Sequence, residues 1–122
     1  MPEAELVVQD IQGVTVVSFS GTSILDESTV ISLGRRLYDL VENQDKRKLL
    51  LDFTDVKFLS SSMLGVLIRL QKRLAPPRGR MAIVGLRPDL HRVFKITRLD
   101  KLFDFYTDDD EAMGSFEIYP KA

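Results

Sequence analysis

The stretch that decides the fold is "LLLDFTDVKFLSSSMLGVLIRLQKRL", residues 49–74, in which the hydrophobic pattern changes period across three consecutive serines. Before the serines, Leu49, Leu50, Leu51 and Phe53 make a short continuous apolar run, entered through Lys46, Arg47 and Lys48. Such a run, bounded by charge, reads as a central strand covered on both faces. After the serines, "MLGVLI" is apolar nearly all round, which predicts a deeply buried helix running to Leu74. Gly65 costs that helix ~1 kcal/mol relative to alanine. Close approach of a neighbouring backbone is the expected compensation. Pro76 and Pro77 are expected to end the helix.

Working outward, "ELVVQ" (5–9) and "VTVVSFS" (14–20) read as strands, the second alternating Thr15, Val17 and Phe19 against Val14, Val16 and Ser18. "DIQG" between them supplies Asp10 and Gly13, so a hairpin is expected. Gly21 closes the second strand. Val30, Leu33, Leu37 and Leu40/Val41 then recur every three or four residues, predicting a helix over 27–42. Asp26 is placed to cap it, Glu27 suits its first turn, and Asn43 suits its end. Beyond residue 74 the reading is a strand in "RMAIVG" (80–85) and a short helix in "RPDLHRVFKI" (87–96), with Pro88 near its start and Leu90, Val93 and Phe94 inward. A last strand follows in "KLFDFY" (101–106), then an acid-led helix in "DDDEAMGSF" (108–116). "EIYPKA" (117–122) receives no assignment. The order is β-β-α-β-α-β-α-β-α. That is an α/β fold with a mixed, mostly parallel sheet and helices packed against it, in a single domain over residues 1–122 without repeats or linker. Helix-joined strands should run parallel through right-handed crossovers.

The 122 residues are 44% hydrophobic and 29% charged with a net charge of -1, which gives no global attraction for nucleic acid or anionic lipid. No cysteine is present and His91 is the lone histidine, so thiolate sites, disulfides and cysteine nucleophiles are excluded. No apolar run approaches the roughly 20 residues needed to cross a bilayer. The opening "MPEAELVVQD" lacks the basic-then-apolar order of a signal peptide, and the expectation is a soluble cytoplasmic domain. Neither Gly-x-Ser-x-Gly nor Ser-x-x-Lys occurs, no Walker loop or Gly-x-Gly-x-x-Gly is found, and no metal or cofactor site is expected. His91 lies on a short basic helix and reads as a surface residue. Between Lys57 and Lys101 the only acidic residues are Asp89 and Asp100, so this span is basic without interleaved aromatics.

"LLLDFTDVKFLSSSMLGVL", "FSGTSILDEST" (19–29) and "AIVGLRPDLHRVFKITRLDKLFDFY" (82–106) together resemble the STAS family, in particular the bacterial anti-sigma-factor antagonists. The resemblance covers nearly the whole chain. It implies a non-enzymatic, cytoplasmic protein-binding module in a partner-switching pathway of transcription regulation. In such antagonists a serine or threonine opening the second long helix is phosphorylated by the anti-sigma factor itself, a serine kinase of the histidine-kinase-like ATPase class. A PP2C-type phosphatase reverses this. The unmodified form binds the anti-sigma factor and frees the sigma factor. Carried onto this sequence, the phospho-acceptor is Ser61, with Ser62 the second choice. The partner-binding surface comprises Gly21, Asp26, Ser60, Ser61, Ser62, Met63 and Leu64. No cofactor, direct nucleic-acid contact or membrane contact is implied. Ser60 stands where the family usually has an aspartate and Met63 where it usually has a glycine. The first removes a negative group from the surface, and the second adds bulk beside the acceptor.

The residues alone leave alternatives. A serine hydroxyl at a helix start can accept from a backbone N–H, and losing such a cap typically costs ~1 kcal/mol. One cap uses one hydroxyl, and three are present. In the alternative reading the chain is an unphosphorylated scaffold of the same fold in which the serines only cap. A third reading is a receiver-like phospho-acceptor domain using Asp52 at the end of the central strand. The opening hairpin and the lack of an acidic pair after the first strand oppose it. Asp26 likewise serves as a cap or as part of a partner surface.

Overall fold

A computed structural model describes residues 5–74 and 79–116. The hairpin forms between β1 (Glu5–Ile11) and β2 (Val14–Ser20), which pair antiparallel with Ile11 opposite Val14. Its two-residue turn needs positive φ at both positions, and Gln12 (51°) and Gly13 (85°) supply it. Then come β3 (Ser23–Ile24), α1 (Glu27–Glu42), β4 (Lys48–Asp52), β5 (Phe58–Leu59) and α2 (Ser61–Leu74). The chain continues through β6 (Arg80–Val84), α3 (Pro88–Ile96), a 3-10 turn at Leu99–Lys101, β7 (Asp104–Tyr106) and α4 (Asp109–Gly114).

The main sheet has five strands in the order β1-β2-β4-β6-β7. All pairs after the hairpin are parallel, with Leu49–Leu51 of β4 opposite Thr15–Val17 on one side and Met81–Ile83 on the other. The predicted α/β fold with a mixed, mostly parallel sheet is the observed one. β3 and β5, which the hydrophobic pattern does not reveal, pair with each other in a separate two-stranded parallel ladder.

The two-sided burial of β4 explains its unbroken apolar run. On one face Leu49, Leu51, Phe19 and Ile83 pack against Leu33 and Leu37 of α1, Leu67 and Leu70 of α2, and Phe94 of α3. On the other face Leu50, Val14, Ala82 and Val84 meet Ala112 and Phe116. Period-two alternation sends neighbouring leucines to opposite faces, and both are dry.

Three expectations change. Val93 is 41% exposed, because Leu90 and Phe94, spaced i and i+4, set the inward line of α3 and Val93 lies off it. The last strand is shorter than "KLFDFY", since the 3-10 turn takes its first residue and Leu102 and Phe103 precede the pairing. Gly65 is not a point of backbone approach. A Cβ there would meet only the Arg69 guanidinium, at 3.4 Å, whereas a Cβ at Gly34 would touch Val66 across the α1–α2 contact at 3.4 Å. Pro76, Pro77 and the 117–122 tail lie outside the described residues. Among the described residues no helix is long and apolar enough to cross a membrane.

Candidate functional site

The three serines sit beyond the carboxyl end of β4, where the 53–60 segment returns toward the loop after β2. Phe53 N–H donates to the Val84 carbonyl at 2.9 Å, and the Asp52 carboxylate accepts from Thr54 N–H at 2.9 Å and the Thr54 hydroxyl at 2.5 Å. Asp52, the residue a receiver would use, is thus held within its own turn.

The β3–β5 ladder then clamps the two loops together. Lys57 and Phe58 N–H groups donate to the Thr22 carbonyl at 2.7 and 3.1 Å, and Ser60 N–H donates to the Ile24 carbonyl at 2.9 Å. Gly21 opens this loop at φ 96°, a left-handed conformation that favours glycine. The 21–26 loop and the serine turn are therefore one surface, joined by backbone hydrogen bonds.

Each serine has a different environment. Ser60 caps α2: its hydroxyl accepts from Met63 N–H at 3.2 Å, and its carbonyl accepts from Met63 and Leu64 N–H at 3.1 and 3.3 Å. Ser61 and Ser62 are the first two residues of the helix and both are exposed. Ser62 hydroxyl donates to a Glu27 carboxylate oxygen at 3.5 Å. Ser61 hydroxyl makes no hydrogen bond to a described residue.

Met63 and Leu64, which the resemblance puts on the partner surface, are buried, as the apolar pattern of the helix requires. They are 0% and 8% exposed. Met63 begins the inward line Met63, Leu67, Leu70, Leu74, and turning it out would forfeit about 1.5–3 kcal/mol of burial. The bulk of Met63 is consequently in the core and does not crowd Ser61. Asp26 stands at the N-cap position of α1 without capping it through its side chain. Its carbonyl accepts from Val30 N–H at 3.0 Å, while its carboxylate accepts from the Ser28 hydroxyl. That leaves an exposed carboxylate on the same surface as Ser61.

Residue-type reasoning missed two exposed apolar groups here. Leu25, at 54%, and Phe58, at 56%, belong to the two clamped loops. It also missed a groove of about 400 Å³ between α1 and α2, with Val30, Gly34 and Val66 in its lining and Glu27, Ser62 and Arg69 among its polar groups.

Elsewhere, His91 packs against Phe105 with ring centroids 4.7 Å apart. Asp108 caps α4 by accepting from Glu111 N–H at 2.8 Å. Partial burial, and then the carboxylates of Asp52, Asp110 and Asp108, push the Asp109 carboxyl above its ordinary range. No group of three or more His, Cys, Asp or Glu suited to a metal occurs among the described residues.

The family model of the STAS domain matches residues 5–112. An anti-sigma F factor antagonist of Paenibacillus polymyxa is 25% identical over 107 residues, covering 88% of this chain and 90% of that protein. The crystal structure of an anti-sigma factor antagonist from Mycobacterium paratuberculosis superposes with a TM-score of 0.83 at 30% identity, covering 96% and 97% of the two chains. A Bacillus cell-fate determinant, solved in its phosphorylated form, shares the fold with a TM-score of 0.69 at 18% identity, covering 93% and 98%.

Proposed function

The chain belongs to the STAS domain family, and from that premise we propose that it acts as an anti-sigma-factor antagonist, a non-enzymatic module switched by phosphorylation of Ser61. Its partner is an anti-sigma factor that is also a serine kinase of the histidine-kinase-like ATPase class, and a PP2C-type phosphatase resets it. Neither nucleic acid nor a membrane is bound directly. The names carried by the Paenibacillus and Mycobacterium relatives support the antagonist reading.

One observation carries the choice of Ser61. Of the three hydroxyls, Ser60's is occupied as the helix cap and Ser62's is bonded to a carboxylate, whereas Ser61's is exposed and uncommitted among the described residues. The docking surface is the clamped pair of loops. Leu25 and Phe58 supply its apolar area, Asp26 its charge, and Gly21 its backbone shape. A phosphate on Ser61 carries about -1.5 to -2 charges at neutral pH and sits at a helix N-terminus, which tolerates an anion. The domain stays folded while the docking face gains a dianion that must be desolvated for a partner to bind. The chemistry belongs to the kinase and the phosphatase.

The test is incubation with the serine kinases of this class from the same genome, followed by mass spectrometry of the peptide holding residues 60–62. A phosphoryl group that fragmentation places on Ser61, and that is missing from that position in Ser61→Ala, supports the switch. No gain with any such kinase, together with unaltered partner binding by Ser61→Asp, returns the serines to a scaffold role.

A further inference from the structure

Two arginines border the α1–α2 groove without a carboxylate partner among the described residues. Arg35 and Arg69 both line it, and neither takes part in the ion pairs of the described structure. Arg69 donates through Nε to the Tyr38 hydroxyl at 3.0 Å. Its guanidinium lies over Gly65, with Nη1 3.4 Å from where a Cβ would be. The side chain therefore folds back along α2 toward the amino end, across the face that Gly65 leaves bare.

Ser62 stands on that line. Positions seven apart on a helix fall within about 20° of each other, so Ser62 and Arg69 share one stripe with Gly65 between them, about 4.5 Å of axial rise from Ser62. The same spacing from Ser61 reaches Ile68, which is half-buried and packed against the core.

We infer that Ser62 is a second modification position whose phosphate is held by the chain's own Arg69, with Arg35 adding charge from the opposite wall. The inference rests on the proposed reading only in requiring that a serine kinase reach this turn. In the transfer, Ser62 Oγ bonds to the γ-phosphorus of a nucleoside triphosphate and the bond from that phosphorus to the β,γ-bridging oxygen breaks. The hydroxyl proton passes to the kinase's base and a nucleoside diphosphate leaves. Glu27 loses its hydrogen bond and opposes the phosphate, while Arg69 and, from farther along the groove, Arg35 attract it. Arg69 exchanges a bond from its cation to the neutral Tyr38 hydroxyl for one in which donor and acceptor are both charged. Neighbouring serines thus have opposite consequences: a phosphate on Ser61 projects toward a partner, while one on Ser62 folds onto the protein's own surface at the edge of the groove.

The test needs no kinase. Full chains carrying phosphate on Ser61 or on Ser62, installed during translation, are titrated by ³¹P NMR, each with and without Arg69→Gln, and thermal melts verify folding. Capture predicts that Arg69→Gln raises the second phosphate pKa of the Ser62 form by about half a unit or more, and that of the Ser61 form by less than half as much. Arg69→Lys should restore part of the difference, and Glu27→Gln should lower the Ser62 value further. Equal shifts in the two forms, or no shift at Ser62, overturn the inference. Those results leave the antagonist reading standing, whereas failure of every kinase to modify the turn overturns Ser62 as a modification position and leaves only the contact between Arg69 and an installed phosphate.

Discussion

Replacing Ser60, Ser61 and Ser62 by alanine one at a time separates a cap from a switch. Only Ser60 gives its hydroxyl to the backbone, accepting from Met63 N–H at 3.2 Å. Cap removal costs about 0.5–2 kcal/mol. Met63 N–H also reaches the Ser60 carbonyl, at 3.1 Å, so part of its bonding survives. Ser60→Ala should accordingly lie in the lower half of that range, about 0.5–1 kcal/mol, worth roughly 2–5 °C in Tm for a domain of this size. Ser61→Ala removes no bond to a described residue and should stay within about 0.5 kcal/mol of the parent. Ser62→Ala loses only a long, exposed bond to Glu27 and should behave likewise. Urea titration followed by far-UV circular dichroism reads all three, with an unchanged slope confirming that the unfolding transition is the same. If Ser61→Ala costs as much as Ser60→Ala, or Ser60→Ala costs nothing, the hydroxyls are not divided as described and Ser61 is not the spare one.

Other substitutions probe the rest of the account. Phe58→Ala and Leu25→Ala should leave stability within about 1 kcal/mol because both side chains are more than half exposed, yet weaken anti-sigma-factor binding by about 10-fold or more in calorimetry. Gly65→Ala should stabilise by up to ~1 kcal/mol, since only the movable Arg69 guanidinium stands in the way. Gly85→Ala should destabilise by about 2 kcal/mol or more, because φ there is +74° and the new Cβ would lie 3.1 Å from the Thr54 Cα. Asp10, held below its ordinary carboxylate range by the Thr15 hydroxyl and Lys46, should stabilise the fold at neutral pH. The deficit of Asp10→Asn in thermal melts should be full above pH 3.8 and vanish as pH falls through the lower folded-state value, the sign expected of a depressed carboxylate.

The residues that were legible in the sequence are those whose neighbours repeat a pattern. Leu49–Leu51 announced a strand dry on both sides, and Val30, Leu33, Leu37 and Val41 announced α1, because burial there follows a regular period. β3 and β5 span two residues each, too few to show a period, and their pairing joins segments 35 residues apart (Ser23 with Phe58). That clamp unites the site, so the sequence displays the site's two halves without the link between them. The motif position assigns Met63 to the partner surface, whereas its spacing to Leu67, Leu70 and Leu74 puts it on the buried line. Asp26 has the composition of a cap, but its carboxylate takes the Ser28 hydroxyl of the first turn in place of a backbone N–H, and composition does not rank competing donors.

The central claim is that Ser61 presents a hydroxyl on a face that a partner covers. The most direct measurement is the affinity of the anti-sigma factor from the same genome for the unmodified chain and for the chain phosphorylated on Ser61 alone. A loss of about 10²-fold or more, equal to about 2.7 kcal/mol, is predicted for the phosphorylated form, with its thermal melt unchanged. Equal affinity for the two forms would contradict the account.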